Sequence, residues 1–169
     1  MEGSSREMVI RAYRESDRAT VWALSQIPHL GATADPSIPL DLPPRDDPGS
    51  FDDLRNIDSA YVARGGAFLV LEIDARVVAM GGIVANERGQ AEVLRVRVHP
   101  ALRRRGLGRA LMSALERCAR ELGFTEMHLD TTVQQPEAVA FYRSLGYEEY
   151  SRQKFPAWEL LFFTKRLSP

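Results

Sequence analysis

From Leu107 to Leu122 the apolar residues Leu107, Ala110, Leu111, Ala114, Leu115, Cys118, Ala119 and Leu122 recur at spacings of three and one. Only an α-helix holds residues at that spacing on one side. Gly123 fits the left-handed position just past the end, and Phe124 fits the apolar residue that closes such an end. Runs rich in β-formers flank the helix, Ala91 to Val98 before it and Glu126 to Val133 after it. A helix with one apolar stripe between two strands needs a sheet beneath that stripe.

The rest of the chain fills in that layout. Met8 to Tyr13 reads as a first strand, and Ser16 or Asp17 as the N-cap of a helix carrying Ala19, Val21, Trp22, Leu24 and Ile27, ended by Pro28. Residues 28–50 hold six prolines, which predicts an irregular segment, either a disordered insert or a binding loop or lid. Ser50 fits the cap of a helix through Phe51, Leu54 and Ile57. Ala67 to Ile73 and Val77 to Val84 read as a hairpin turning at Asp74-Ala75-Arg76. Pro136 fits the first position of a helix through Ala138, Phe141, Tyr142 and Leu145, ended by Gly146. Tyr147 to Gln153 and Trp158 to Thr164 read as two last strands. The expected fold class is mixed α/β: one domain over residues 1–169 around a single sheet.

Composition narrows the function. The formal net charge is −1, which argues against a partner held by bulk charge, nucleic acid or anionic membrane. One cysteine, Cys118, leaves no internal disulfide and no multi-cysteine metal cluster, and in the helix stripe it reads as a small core residue. His29, His99 and His128 show no metal-ligand spacing, so no metal is expected. No apolar run approaches the ~20 residues of a membrane span, and residues 1–7 lack a signal-peptide core. A cytoplasmic protein is the expectation. All but two of the 22 basic residues are Arg.

Four of those arginines cluster where the chemistry is. Arg103, Arg104, Arg105 and Arg109 surround Gly106 and Gly108 at the start of the long helix. The first turn of a helix leaves N–H groups unpaired at the positive end of its dipole, and phosphate binds there. The glycines let the ligand approach the backbone, and arginine adds charge. The plain alternative is a solvated basic turn. A Walker loop is excluded because Arg109 follows Gly108. A dinucleotide fingerprint fails because Leu111 stands where the third glycine belongs and seven residues separate the strand from Gly106.

The run Arg103-x-x-Gly106-x-Gly108, following Val98-x-Pro100, resembles the acetyl-CoA pyrophosphate loop of the GNAT N-acetyltransferase superfamily. A second stretch, Gln135 to Tyr147, resembles that family's later helix, with its aromatic-Tyr core and glycine-aromatic end. One departure is Gln135, where many members carry the Asn that contacts the pantetheine arm. The resemblance implies a mostly antiparallel sheet, splayed between two parallel central strands, with helices on both faces. The cofactor then lies in the splay. Its arm pairs with the strand near Val96, Arg97 and Val98, and its pyrophosphate meets Arg103, Arg104, Arg105, Gly106, Leu107, Gly108 and Arg109, with Gln135 and Tyr142 completing the site. A bulge is common in that strand, so alternate facing of Arg95, Arg97 and His99 is not assumed.

The resemblance implies direct transfer of an acetyl group from acetyl-CoA to a primary amine, of a small molecule or of a peptide. A domain that only senses acyl-CoA is the reading from another class. An amine is mostly protonated at neutral pH, so a base must take its proton. Glu92 is the candidate base, with Glu72, Asp130 or a water relay through His128 as alternatives. Tyr142 is the candidate acid at the thioester sulfur; its plain alternative is a core aromatic. The acidic residues of the Pro-rich segment, Asp35, Asp41, Asp46 and Asp47, would suit a cationic amine, although a solvated loop has the same composition. The resemblance leaves a homodimer open.

Overall fold

A computed structural model describes residues 6–27 and 33–169. Pro28, expected to end the first helix, and His29 lie outside the described residues. Seven strands form one sheet in the order β1-β2-β3-β4-β5-β7-β6. The strands are β1 (Met8–Ala12), β2 (Ala67–Ile73), β3 (Arg76–Ala85), β4 (Ala91–Val98), β5 (Glu126–Thr132), β6 (Glu148–Lys154) and β7 (Glu159–Arg166). All neighbours are antiparallel except β4 and β5, which run parallel. The helices are α1 (Arg18–Ser25), α2 (Ile57–Ala60), α3 (Leu107–Glu121) and α4 (Pro136–Ser144). None of the described helices is long and apolar enough to cross a membrane.

The sheet carries a core on each face, because its strands alternate. Ala91, Val93, Val96 and Val98 of β4 join Leu111, Met112, Leu115 and Ala119 of α3 on one side, with Ala138 and Tyr142 of α4. Leu94 packs on the other side, against the cluster of Val21, Trp22, Leu24, Leu54, Ile57 and Tyr61. Each fully buried Leu or Met contributes about 1.5–3 kcal/mol, so the α3 stripe is a principal anchor of the fold. The end of α3 matches expectation: the Phe124 amide reaches the Ala119 carbonyl at 2.9 Å and the Gly123 amide that of Arg120 at 3.0 Å, with Gly123 at φ +90°. The Asp74-Ala75 turn has both residues left-handed, at φ 50° and 61°, as a two-residue hairpin requires.

Two expectations change in the N-terminal half. Asp17 does precede α1, but its carboxylate does not cap that helix; it takes two hydrogen bonds from Arg11, at 2.7 and 2.8 Å, and one from the Arg14 amide. The single helix expected from Phe51 through Ile57 is broken: a 3₁₀ turn spans Asp52–Arg55, and Asn56 leaves helical geometry to cap α2 through the Ser59 amide at 3.0 Å. The described part of the Pro-rich segment is tied down. The Asp35 amide bonds the Pro100 carbonyl, the Gln26 side chain the Pro48 carbonyl, and Arg76 the Asp41 carboxylate. Buried His99 accepts from the Ala101 amide at Nδ1, so its Nε2 carries the proton and donates to the Pro39 carbonyl at 2.8 Å.

Gly66 opens β2 because nothing larger fits there. A Cβ would stand 2.0 Å from the Ile83 carbonyl oxygen and 3.0 Å from Val84 Cα, all backbone atoms that cannot swing away. Gly66→Ala should therefore destabilise the protein by about 3 kcal/mol or more. The check is a urea titration, in which the midpoint falls while the slope is retained.

Candidate active site

The site begins where the sheet parts. β4 and β5 pair only at Ala91↔Met127 and Glu92↔His128. Beyond that, β4 from Val93 to Val98 is paired with β3 alone and β5 from Leu129 onward with β7 alone. A bulge adds to the separation: Met80 faces Arg97 and Gly82 faces Leu94, so Gly81 opposes both Arg95 and Val96. Arg95 takes the left-handed conformation, φ 59°, that the extra residue demands. The result is a wedge with an unpaired β4 edge, whose backbone groups are free to pair with an extended ligand.

Two hollows lie along β4 at the wedge. The larger, about 510 Å³, is lined by Val98, Arg103, Arg104, Gly106, Leu107, Gly108 and Arg109. Here the strand-to-helix turn puts Arg104 and Gly106 at positive φ, 62° and 80°, and α3 starts with no acidic residue or side-chain cap in its first turn. The amides of the first turn and the helix dipole thus stay available to an anion. Arg103 is buried, its Nε 3.3 Å from the Val98 carbonyl, and burial lowers its pKa. Arg109 reaches Ser144 on α4 at 3.2 Å, and Arg104 and Arg105 are exposed. The hollow is lined by all the loop residues singled out from the sequence except Arg105.

The smaller hollow, about 160 Å³, lies between the parted strands and is lined by Phe51, Arg95, Val96, Arg97, Asp130, Gln135 and Tyr142, among others. Tyr142 is buried, and desolvation pushes its hydroxyl well above the usual phenol range, so it remains a proton donor at neutral pH. Among the described residues its hydroxyl has no hydrogen-bond partner. Its ring meets Phe141 and Tyr147 edge-on, at 5.2 and 5.8 Å. Gln135 is steadied by the Thr131 hydroxyl at 3.2 Å.

The carboxylates divide between two places. Glu92 sits at the closed end of the wedge, engaged with His128 Nδ1 and with the Asn86 amide at 3.3 Å; the other ring nitrogen of His128 is 2.6 Å from the Tyr150 hydroxyl. Asp130, one step further along β5 on the same face as His128, lines the hollow itself. Surrounding protein and then the negative charge of Glu92 raise its carboxyl above the usual range, against smaller opposing effects of His128 and Arg95. Glu72 is taken up by Arg11 on the far side of the sheet. Asp35 is spent on its own Ser37 turn, Asp41 on Arg76 and Asp47 on the Gly49 amide. None of Asp35, Asp41, Asp46 and Asp47 lines the larger hollow or the smaller one.

The segment's end gives it Phe51 instead, over which the Arg95 guanidinium stacks at 4.2 Å while gripping Asp53 at 2.7 Å. The helix near Phe51–Ile57 is among the elements the sequence suggests for acceptor recognition, together with the first helix and the Pro-rich segment; Phe51 does line the hollow, while the Arg95–Asp53 pair was not singled out. A signal was present all the same: Arg95 and Arg97 alternate with Leu94, Val96 and Val98 in the inner half of the strand, where two charges need a reason to be wholly or partly buried.

Known proteins are similar to this chain in sequence and in fold. The family model described as the Acetyltransferase (GNAT) family matches residues 36–147. An uncharacterised N-acetyltransferase, YjgM, of Escherichia coli K12 is 35% identical over 98 residues, 56% of this chain and 59% of its own length. Human N-acetyltransferase 8 is 30% identical over 115 residues, 64% of this chain and 51% of its own. The chain thus spans only a little over half the length of these relatives. Among solved structures, yncA of Salmonella typhimurium, a putative acetyltransferase with its cofactor acetyl-CoA, superposes with a TM-score of 0.71 at 23% identity, over 95% of this chain and 94% of that one.

Proposed function

Since the chain belongs to the acetyltransferase (GNAT) family, we propose that it transfers the acetyl group of acetyl-CoA directly to a primary amine of a small molecule. The observation that carries this reading is the parting of β4 from β5, with α3's free N-terminal amides at one end and the Tyr142 hydroxyl at the other. The parts suit a long thioester with a pyrophosphate: an unpaired strand edge at Val96 to Val98, a dipole and arginines at Arg103 to Arg109, and a donor at the inner end. Bound acetyl-CoA supplies the carbonyl that the amine attacks. Tyr142 gives a proton to the departing sulfur, a modest assistance because a thiolate leaves well. We propose Asp130, rather than Glu92, as the group that accepts the amine's proton, because it lines the hollow, while Glu92 is engaged with His128 and Asn86 at the closed end, and because its carboxyl is raised above the usual range, which makes it a stronger base once ionised. Glu92 and His128 then hold the closed end of the wedge. A small-molecule acceptor is favoured because the inner hollow is narrow and is walled by Phe51 and the Arg95–Asp53 pair.

The test is thiol release from acetyl-CoA across an amine panel, with acetyl-CoA binding measured by calorimetry. Release with small amines supports the reading. Binding without release on any amine or peptide would leave a sensor, and failure to bind would remove the reading altogether.

A further inference from the structure

Arg97 is buried, 6% exposed, and its Nε has no hydrogen-bond partner among the described residues. Its one hydrogen bond is local, from Nη1 to the Val96 carbonyl at 2.9 Å. A buried guanidinium is ordinarily matched by a carboxylate or a set of carbonyls, since a charge removed from water without a partner is costly. Of the carboxylates on its side, Asp53 is already held by Arg95 through three contacts of 2.7 to 3.2 Å, and Asp130 lines the same hollow without a hydrogen bond to Arg97 among the described residues. Burial first, and then the like charges of Arg95 and Arg103, lower its pKa to about 10, so it stays cationic near pH 7.

The direction it faces decides what anion it meets. Val96 and Val98 pack into the core under α3, so Arg97 between them points to the opposite face, over Phe51. The anion-binding turn at Gly106 opens α3, which packs on the face covered by Val96 and Val98. The pyrophosphate site therefore does not supply the counter-ion of Arg97. Asp130, alternating with the core residues Met127 and Leu129, lies on the Arg97 face, and the two line the same hollow as Tyr142.

We propose that Arg97 is the specificity residue for the acceptor, and that the acceptor amine carries a carboxylate near its nitrogen, as an α-amino acid does. This rests on the acetyl transfer proposed above. The guanidinium offers a planar, two-pronged donor that fits a carboxylate, with Phe51 beside it to cover the acceptor's apolar part. Such a placement would leave the amine between Arg97 and Asp130.

The experiment compares matched probes: alanine, leucine and phenylalanine, each against its carboxamide and its decarboxylated amine. Thiol release from acetyl-CoA is read with the native protein, Arg97→Gln and Arg97→Lys, alongside acetyl-CoA binding and melting temperature. A carboxamide's amine, like a chain terminus with pKa about 7.7–8.0, is more often unprotonated at pH 7.5 than an amino acid's, so chemistry alone favours the carboxamide. The expected result is the reverse: kcat/KM about ten- to a hundred-fold higher for the carboxylate form. Arg97→Gln erases the difference, Arg97→Lys restores part of it, and acetyl-CoA binding changes less than about two-fold. Carboxamides or plain amines used as well as the amino acids by the native protein would overturn the proposal while leaving acetyl transfer standing. Discrimination that survives in a folded Arg97→Gln protein would also overturn it. No release from any of these probes, with acetyl-CoA bound, would overturn the proposal, and the transfer reading would then be decided separately by the wider amine and peptide panel. The native comparison stands even if the variants fail to fold.

Discussion

Tyr142→Phe should lower kcat about ten- to a hundred-fold, or about 1.4–2.7 kcal/mol of transition-state stabilisation, while leaving acetyl-CoA binding and melting temperature nearly unchanged. The separation follows from what the hydroxyl does in the structure. It has no hydrogen-bond partner among the described residues, so removing it breaks no contact that holds α4. The ring remains to meet Phe141 and Tyr147, and phenylalanine keeps both edge-on contacts. Burial raises the hydroxyl's pKa, so within the ordinary working range it gives up a proton only to a base formed in the reaction. The effect sits at the low end for an acid catalyst because the leaving thiolate needs little help. It should grow for an acyl donor whose leaving group is a stronger base, such as an oxygen ester analogue of acetyl-CoA. Unchanged turnover in a folded variant would return Tyr142 to the role of a core aromatic.

What sequence reasoning could reach here follows from the range of the interactions involved. The α3 stripe, its Gly123 end and the Asp74-Ala75 turn are set by neighbours within a few residues, and each is found where expected. The turn at the start of α3 is equally local: Arg104 and Gly106 take their positive φ within the turn itself, next to the helix it opens. The wedge is not local. β4 and β5 are identifiable as strands, yet nothing in either run shows that they pair over two rows and then part. The bulge at Arg95 sets which way Arg97 points, and it depends on Gly81 across the sheet. Phe51 was expected on a regular helix; the cap at Asn56 breaks that helix and frees Phe51 to line the hollow. That asparagine was a visible cap signal that the apolar spacing of Phe51, Leu54 and Ile57 overshadowed. The choice between Glu92 and Asp130 is of the same kind, since it turns on where the two strands separate.

Asp130→Asn should cost more than the loss of Tyr142, about 10²–10³ in kcat/KM, because an amide cannot take a proton from the attacking amine. The pH profile carries the discriminating information. A base works when ionised, so in the native protein kcat/KM climbs as pH rises through the pKa of Asp130, which lies above the ordinary carboxyl value of about 3.9. In Asp130→Asn that rise disappears. Glu92→Gln has a different signature. The Glu92 charge is one cause of the raised pKa, so removing it lets the Asp130 pKa fall and moves the acidic limb to lower pH. If Glu92 were the base instead, Glu92→Gln would carry the large loss and Asp130→Asn would keep the limb. Stability runs the opposite way to activity. Between the ordinary and the raised pKa the folded chain holds a proton that the unfolded chain has released, so stability falls as pH rises through that window. Asp130→Asn removes this slope, and urea midpoints measured across the same pH range as the kinetics would show both changes in one variant. The two changes have one cause: the surroundings that raise the Asp130 pKa, and so strengthen it as a base, also make its ionised form a burden to the fold.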